Sequence, residues 1–179
     1  MWSIEASLFF YIVPDDKDYA QPTVMADHDW LHFELRYNYE ALDTGSIWLG
    51  CNFEGGEALE WAITPMIAGV VGDTMGFAVG FEGSLHWWKL ELYVESEYVI
   101  DADDASGNFF YNWSELTLSP VEWFRFGLVT QRTRFSGGGN DPQLGVLAGC
   151  TVGAVDLNAY VLNLEEDKPT VAFSVGLSF

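Results

Sequence analysis

The chain has 179 residues, 49% apolar and 16% aromatic, enough for one domain spanning 1–179 with a sizeable core. Its net charge of −20, from 27 acidic and only 7 basic residues, argues against nucleic acid as a partner and against docking on an anionic membrane surface. Eight Trp, eight Tyr and thirteen Phe argue against acid-rich disorder, and no apolar run approaches the roughly 18 residues of a membrane helix.

Short segments of strict period two, separated by turn signals, fill the chain, and no helical stripe of useful length interrupts them. Ile4, Ala6, Leu8, Phe10 and Ile12 oppose Glu5, Ser7 and Tyr11. Leu31 to Glu40 is the clearest strand: Leu31, Phe33, Leu35, Tyr37 and Tyr39 oppose His32, Glu34, Arg36, Asn38 and Glu40. Ile47, Leu49, Cys51 and Phe53 then oppose Ser46, Gly50, Asn52 and Glu54. Pro65 interrupts Leu59 to Val71, which predicts an edge or a bulge. Phe77, Val79, Phe81, Leu85 and Trp87 oppose Gly80, Glu82, Ser84 and His86, and Leu90, Leu92 and Val94 oppose Glu91, Tyr93 and Glu95. Phe109 to Leu118 changes parity near Glu115, predicting a bulge or a pore-edge distortion there. Val155, Leu157, Ala159 and Val161 oppose Asp156, Asn158 and Tyr160. In the last segment Val171, Phe173, Val175, Leu177 and Phe179 alternate with Ala172, Ser174, Gly176 and Ser178.

Turn signals near residues 14–18, 27–29, 42–45, 54–57, 72–76, 87–89, 101–107, 119–120, 136–142, 153–154 and 165–169 predict twelve strands, with the turn at 27–29 the weakest signal and a range of ten to fourteen. Long acidic turns alternate with tight ones, as in bacterial outer-membrane barrels. The expected fold is therefore all-β: a closed antiparallel transmembrane β-barrel, apolar outward to lipid and small or polar inward. A soluble lipocalin-like ligand-binding barrel fits the same alternation with the faces exchanged, but its outer face would then be the glycine-rich one. Twelve strands at about 4.8 Å and a tilt near 40° close at a diameter of roughly 24 Å, leaving a lumen near 12 Å. Trp2, Trp30, Trp48, Trp61, Trp87, Trp113 and Trp123 are read as interfacial girdles. Cys51 and Cys150 are read as small outward residues, with a disulfide as the alternative, and cannot by themselves make a zinc site. Met1 runs straight into a strand pattern with no leader, the expectation for a mature or a designed chain.

The terminal strand ending on Phe179 resembles the C-terminal strand of bacterial outer-membrane proteins. That resemblance implies that Phe173, Val175, Leu177 and Phe179 are read by the barrel-assembly machinery. The runs Val13-Pro-Asp-Asp-Lys-Asp-Tyr-Ala-Gln-Pro and Arg36-Tyr-Asn-Tyr-Glu-Ala-Leu-Asp-Thr-Gly-Ser-Ile-Trp-Leu-Gly resemble a family of small, uncharacterised bacterial outer-membrane proteins, as do Phe109-Phe-Tyr-Asn-Trp-Ser-Glu-Leu-Thr and Trp123-Phe-Arg-Phe-Gly-Leu-Val-Thr-Gln-Arg-Thr-Arg. The resemblance implies an outer-membrane barrel and carries no activity. The scarcity of Lys and Arg points to an engineered or designed variant of it.

The residues expected to line a pore are Glu5, Glu34, Arg36, Asn38, Glu40, Asn52, Glu60, Glu82, Glu91, Glu95, Arg125, Asp156 and Asn158. Acidic linings select cations, so the expected function is a narrow, water-filled, porin-like pore passing small cations or small polar solutes, with the lipid bilayer as partner. The alternative is a closed structural or adhesion barrel whose charges form cross-strand networks and whose acidic loops carry the interaction. No cofactor, metal or catalytic step is expected. Ser84 and His86 share a face about 7 Å apart, too far for nucleophile and base. Asp101, Asp103 and Asp104 lack the full calcium-loop pattern, and Ser136-Gly-Gly-Gly-Asn lacks the helix and lysine of a phosphate loop.

Overall fold

A computed structural model describes all residues, Met1–Phe179. Thirteen strand segments build a closed barrel: β1 (Ser3–Ile12), β2 (Tyr19–His28), β3 (Leu31–Tyr37), β4 (Thr44–Cys51), β5 (Phe53–Gly55), β6 (Glu60–Gly72), β7 (Gly76–Trp87), β8 (Leu90–Asp101), β9 (Phe109–Val121), β10 (Phe124–Phe135), β11 (Asn140–Val152), β12 (Val155–Leu162) and β13 (Thr170–Ser178). Each pairs antiparallel with its neighbours, and β1 pairs with β13 to close the sheet. Phe179 then donates its N–H to the carbonyl of Ile4 at 2.9 Å, extending the seam. β4 and β5 both pair with β6 and are one barrel strand in two pieces, so the barrel has twelve strands. Closure removes the sheet edges that would otherwise leave backbone groups unpaired in lipid.

Pro65 explains the division of that strand. The ladder lapses between Gly50↔Met66 and Phe53↔Ile63, opposite the residue that has no N–H to give. The Thr64 hydroxyl bridges the gap, donating to Asn52 Oδ1 at 2.7 Å. Contrary to expectation, β6 itself continues through Pro65 without an edge or a register shift. The bulge expected at Glu115 is also absent, since β8–β9 register is continuous from Leu90↔Leu118 to Val99↔Phe109. The irregularity lies instead between Leu118 and Val121, where β9 carries one residue more than β10. The last tight turn of that region is therefore at 122–123, not at Ser119-Pro120, and Asn112 and Ser114 face outward.

All the longer connections but one lie at a single end: 13–18, 38–43, 102–108, 136–139 and 163–169, with 73–75 the short member. At the end shared by both termini the turns are 29–30, 56–59, 88–89, 122–123 and 153–154. Trp88 and Gly153 take φ of 57° and 64° there, the left-handed geometry that tight hairpins demand. By loop length the first end is the outer one and the second the inner one.

The surface is inside-out relative to a soluble protein. Ile67, Phe77, Leu116, Leu128, Leu144 and Phe173 are among the many large apolar side chains exposed on the outer wall, while Glu34, Arg36, Glu95 and Glu97 are buried in the interior. Charged groups leave water for a lumen, and apolar groups face outward, only when the surrounding solvent is lipid. Trp2, Trp30, Trp61, Trp87, Trp88 and Trp123 are exposed, and all six sit at the inner end, forming one girdle. Trp48 and Trp113 are not part of it; both are buried in the lumen. Tryptophan emission is accordingly expected to be quenched more by bromines near the lipid headgroup than by bromines at the bilayer centre. Stronger quenching from the centre would contradict this placement. Cys51 and Cys150 face outward as expected, both as free thiols.

Candidate functional site: a pinched, carboxylate-lined lumen

Alternation on β3 sends His32, Glu34 and Arg36 inward. Asn38 then takes a φ of 56°, fixed by its side chain, which donates to Ala20 O at 3.0 Å and accepts from the N–H of Asp43 at 2.8 Å. That turn ends the strand at Tyr37, earlier than alternation suggests, and reverses the parity. Tyr39, expected outward, is inside, and Glu40 stays inside with it.

Arg36 reaches across the lumen. Three barrel strands separate β3 from β8, yet Nη1 donates to Glu95 Oε1 at 2.5 Å and Glu97 Oε2 at 3.3 Å. Nη2 donates to Glu34 Oε2 at 2.7 Å and to Glu82 Oε1 of β7 at 3.2 Å. The guanidinium is clamped between the Tyr39 and Trp48 rings, 4.4 and 4.7 Å from their centroids. The Tyr39 hydroxyl donates to Glu95 at 2.6 Å, and Trp48 donates its indole N–H to Glu40 at 3.0 Å. His32 adds a 2.8 Å contact to Asp27 and approaches Glu34 at 3.6 Å. One arginine and one histidine therefore face the carboxylates of Asp27, Glu34, Glu82, Glu95 and Glu97. Acidic side chains thus outnumber basic ones five to two around the guanidinium.

Aromatic rings cross beside this cluster. Trp113 of β9 meets Phe9 of β1 at 6.1 Å and Tyr160 of β12 at 5.5 Å, and Tyr39 meets Tyr111 at 5.7 Å. The lumen is consequently not the open tube of about 12 Å expected from strand number. It is a waist cavity of ≈ 180 Å³ between two vestibules. The outer vestibule, ≈ 640 Å³, shares Tyr11, Gln21, Tyr39 and Tyr111 with the waist and is lined by Glu40, Asp101 and Asp141 against Lys17. The inner one, ≈ 570 Å³, shares Glu5, Glu82, Glu115 and Asp156 with the waist and contains Glu91 and Arg125. Arg125 is fully engaged there, donating to Asp156 through both terminal nitrogens and to Asn158.

Of the residues expected in a pore, Glu5, Glu34, Glu82, Glu95, Asp156 and Asn158 line the waist, and Arg36 lies behind that lining, paired with Glu34, Glu82 and Glu95. Glu91 and Arg125 line the inner vestibule, and Asn38 and Glu40 the outer one. Asn52 is inward, donating to Asp27 at 2.6 Å. Glu60 lies at the exposed inner rim, 3.6 Å from His86 and with Ser84 nearby, apart from the lumen proper. Phe9, Tyr39, Trp48, Tyr111 and Trp113 are among the lumen residues that sequence reading missed. Outside the membrane span, Asp101 accepts the N–H of Asp103 at 2.8 Å, and Asp104 accepts from Ser106, which holds the Asp104 carboxyl below its ordinary range.

No protein-family model and no curated sequence matches the chain. Solved structures do. The KdgM porin superposes with a TM-score of 0.65 at 8% identity, covering 98% of each chain. The KdgM porin in complex with disordered oligogalacturonate gives 0.63 at 9% identity, over 99% of this chain and 98% of that one. The outer-membrane protein Omp33 of Acinetobacter baumannii gives 0.54 at 9% identity, over 99% and 97%. The fold is that of the bacterial outer-membrane β-barrels. At such identity the likeness is one of fold. The narrower resemblance to one small family gains no sequence-level match, and the expectation of an engineered origin gains no support.

Proposed function

We propose that the protein is a narrow, cation-preferring diffusion channel of the bacterial outer membrane, its selectivity set where Arg36 is encircled by Glu34, Glu82, Glu95 and Glu97. That encirclement carries the reading. Both basic groups at the waist, Arg36 and His32, are spent on acidic partners, so a passing anion meets surplus carboxylates and no free positive partner, whereas a small cation meets a wall that attracts it. The porin likeness supports a channel. An oligogalacturonate, present in one KdgM structure, is a polyanion that this wall would repel. The substrates are therefore small cations and small polar solutes. The waist, ≈ 180 Å³, limits them to dehydrated or few-water species. Phe173, Val175, Leu177 and Phe179 lie on or beside the β1–β13 seam, where assembly machinery would act on the last strand. No catalytic step is assigned.

Proteoliposomes containing the folded protein are expected to dissipate a potassium gradient faster than a chloride gradient. Equal or chloride-favoured rates would contradict the proposal. Glu82→Gln with Glu95→Gln should bring the two rates together, and acidification should do the same in the wild type, because protonation removes the same charges. A potassium preference unchanged by the two Gln substitutions would place selectivity elsewhere.

A further inference from the structure

Seven basic residues stand against 27 acidic ones, and their positions are informative. Arg36 and Arg125 are paired inside the lumen. Lys168 is paired with Asp15, Lys89 donates to Pro120 O in an inner turn, and Lys17 lines the outer vestibule. Arg132 and Arg134 remain. Both project from the lipid-facing side of β10, exposed, and neither forms an ion pair within the chain.

The register places them in a polar field. One row across β8, β9 and β10 reads Ser96↔Asn112↔Arg132, and the row toward the outer rim reads Tyr98↔Phe110↔Arg134↔Asn140. The row below pairs Ser114 with Thr130. Asn112 donates to Ser96 Oγ at 2.8 Å, and Asn140 accepts from Arg132 Nε at 2.8 Å, which orients that guanidinium and leaves its terminal nitrogens free. Depth fits an interface. Along a strand tilted near 40° each residue climbs about 2.6 Å, so Arg132 and Arg134 stand about 23 and 29 Å above the Trp123 girdle. An apolar band of about 25 Å ends between them.

We infer that Arg132 and Arg134, with Asn112 and Ser96 level with Arg132 and Thr130 one row below, form an external site for the phosphate-bearing headgroup of a lipid in the outer leaflet. Two unpaired guanidiniums at headgroup depth complement a phosphate, and the hydroxyl and amide groups beside them suit a sugar-like headgroup. A second copy of the chain is the weaker occupant, because a two-fold contact through this face would set arginines against arginines. The overall charge of −20 would disfavour an anionic surface generally, so the site acts only at this patch.

Native mass spectrometry of the full barrel, titrated with bisphosphorylated lipid A and with its dephosphorylated form, tests this. The wild type should retain the phosphorylated lipid preferentially, and added salt should weaken retention. Arg132→Ser with Arg134→Ser should weaken it about thirtyfold, on the scale of two interfacial cations. Arg132→Lys with Arg134→Lys should keep most of it. Heat-modifiable gel mobility reports folding of each variant. Equal retention by the serine variant, equal uptake of the dephosphorylated lipid, a salt-independent wild type, or a lipid-free wild-type dimer that the serine variant abolishes would each overturn the site. None of these outcomes depends on whether the lumen conducts.

Discussion

Arg36→Ala is expected to raise conductance severalfold while lowering stability by about 3–5 kcal/mol, the range for breaking a buried ion pair by removing one partner. Arg36 is the only link that ties Glu34 on one wall to Glu82, Glu95 and Glu97 on the other. Without it the carboxylates repel one another and the Tyr39 and Trp48 rings lose the cation they enclose. Loss of the side chain that spans from β3 to β8 also leaves the lumen wider at the waist. Adding Glu95→Gln should return part of the lost stability, since the two residues share one network and their effects cannot be additive. Denaturant titration alongside bilayer recording checks both halves. A variant as stable as the wild type and no more conductive would mean that Arg36 neither braces nor narrows the lumen.

Leu128→Arg is expected to cost about 2–4 kcal/mol, the range for an arginine on the lipid face near the bilayer midplane. Leu128 is 53% exposed, lies midway along β10, and is flanked in register by the outward Leu116 and Val146. In a soluble barrel the same change would place a charge on a water-exposed position at almost no cost. Refolding equilibria in lipid vesicles separate the two. A neutral Leu128→Arg would invert the assignment of faces on which everything else depends. Glu91→Arg, in the water-accessible inner vestibule, is the matched control and should cost far less.

Much of this architecture is legible in the sequence because a barrel wall has one rule, period two, and each hairpin announces its turn. All eleven connections fall at or within a few residues of a turn signal, and the inward face of β3, with Glu34 and Arg36, follows from alternation alone. Trp48 was legible too: the parity that sends Ser46 and Gly50 inward sends Trp48 with them, but aromatic type suggested an interfacial girdle. Bulk inside a barrel answers to lumen volume, which no single strand reports. Tyr39 was hidden by one left-handed residue, Asn38, whose turn exchanges the faces beyond it. The meeting of Arg36 with Glu82, Glu95 and Glu97 was not legible. It depends on how far β7 and β8 are staggered relative to β3 around the ring, a property of closure rather than of any segment. The same holds for the rows that join Ser96, Asn112 and Arg132, which need the register of three strands at once.

The most direct measurement is single-channel recording of the detergent-refolded protein in a planar bilayer under about a tenfold potassium chloride gradient. A lipid-embedded barrel with a carboxylate-lined waist should give small, stable steps and a reversal potential of the sign set by potassium. Folded, inserted protein that stays silent would make this a closed barrel with its role in the acidic outer loops. A reversal potential set by chloride would contradict the assignment of the waist outright.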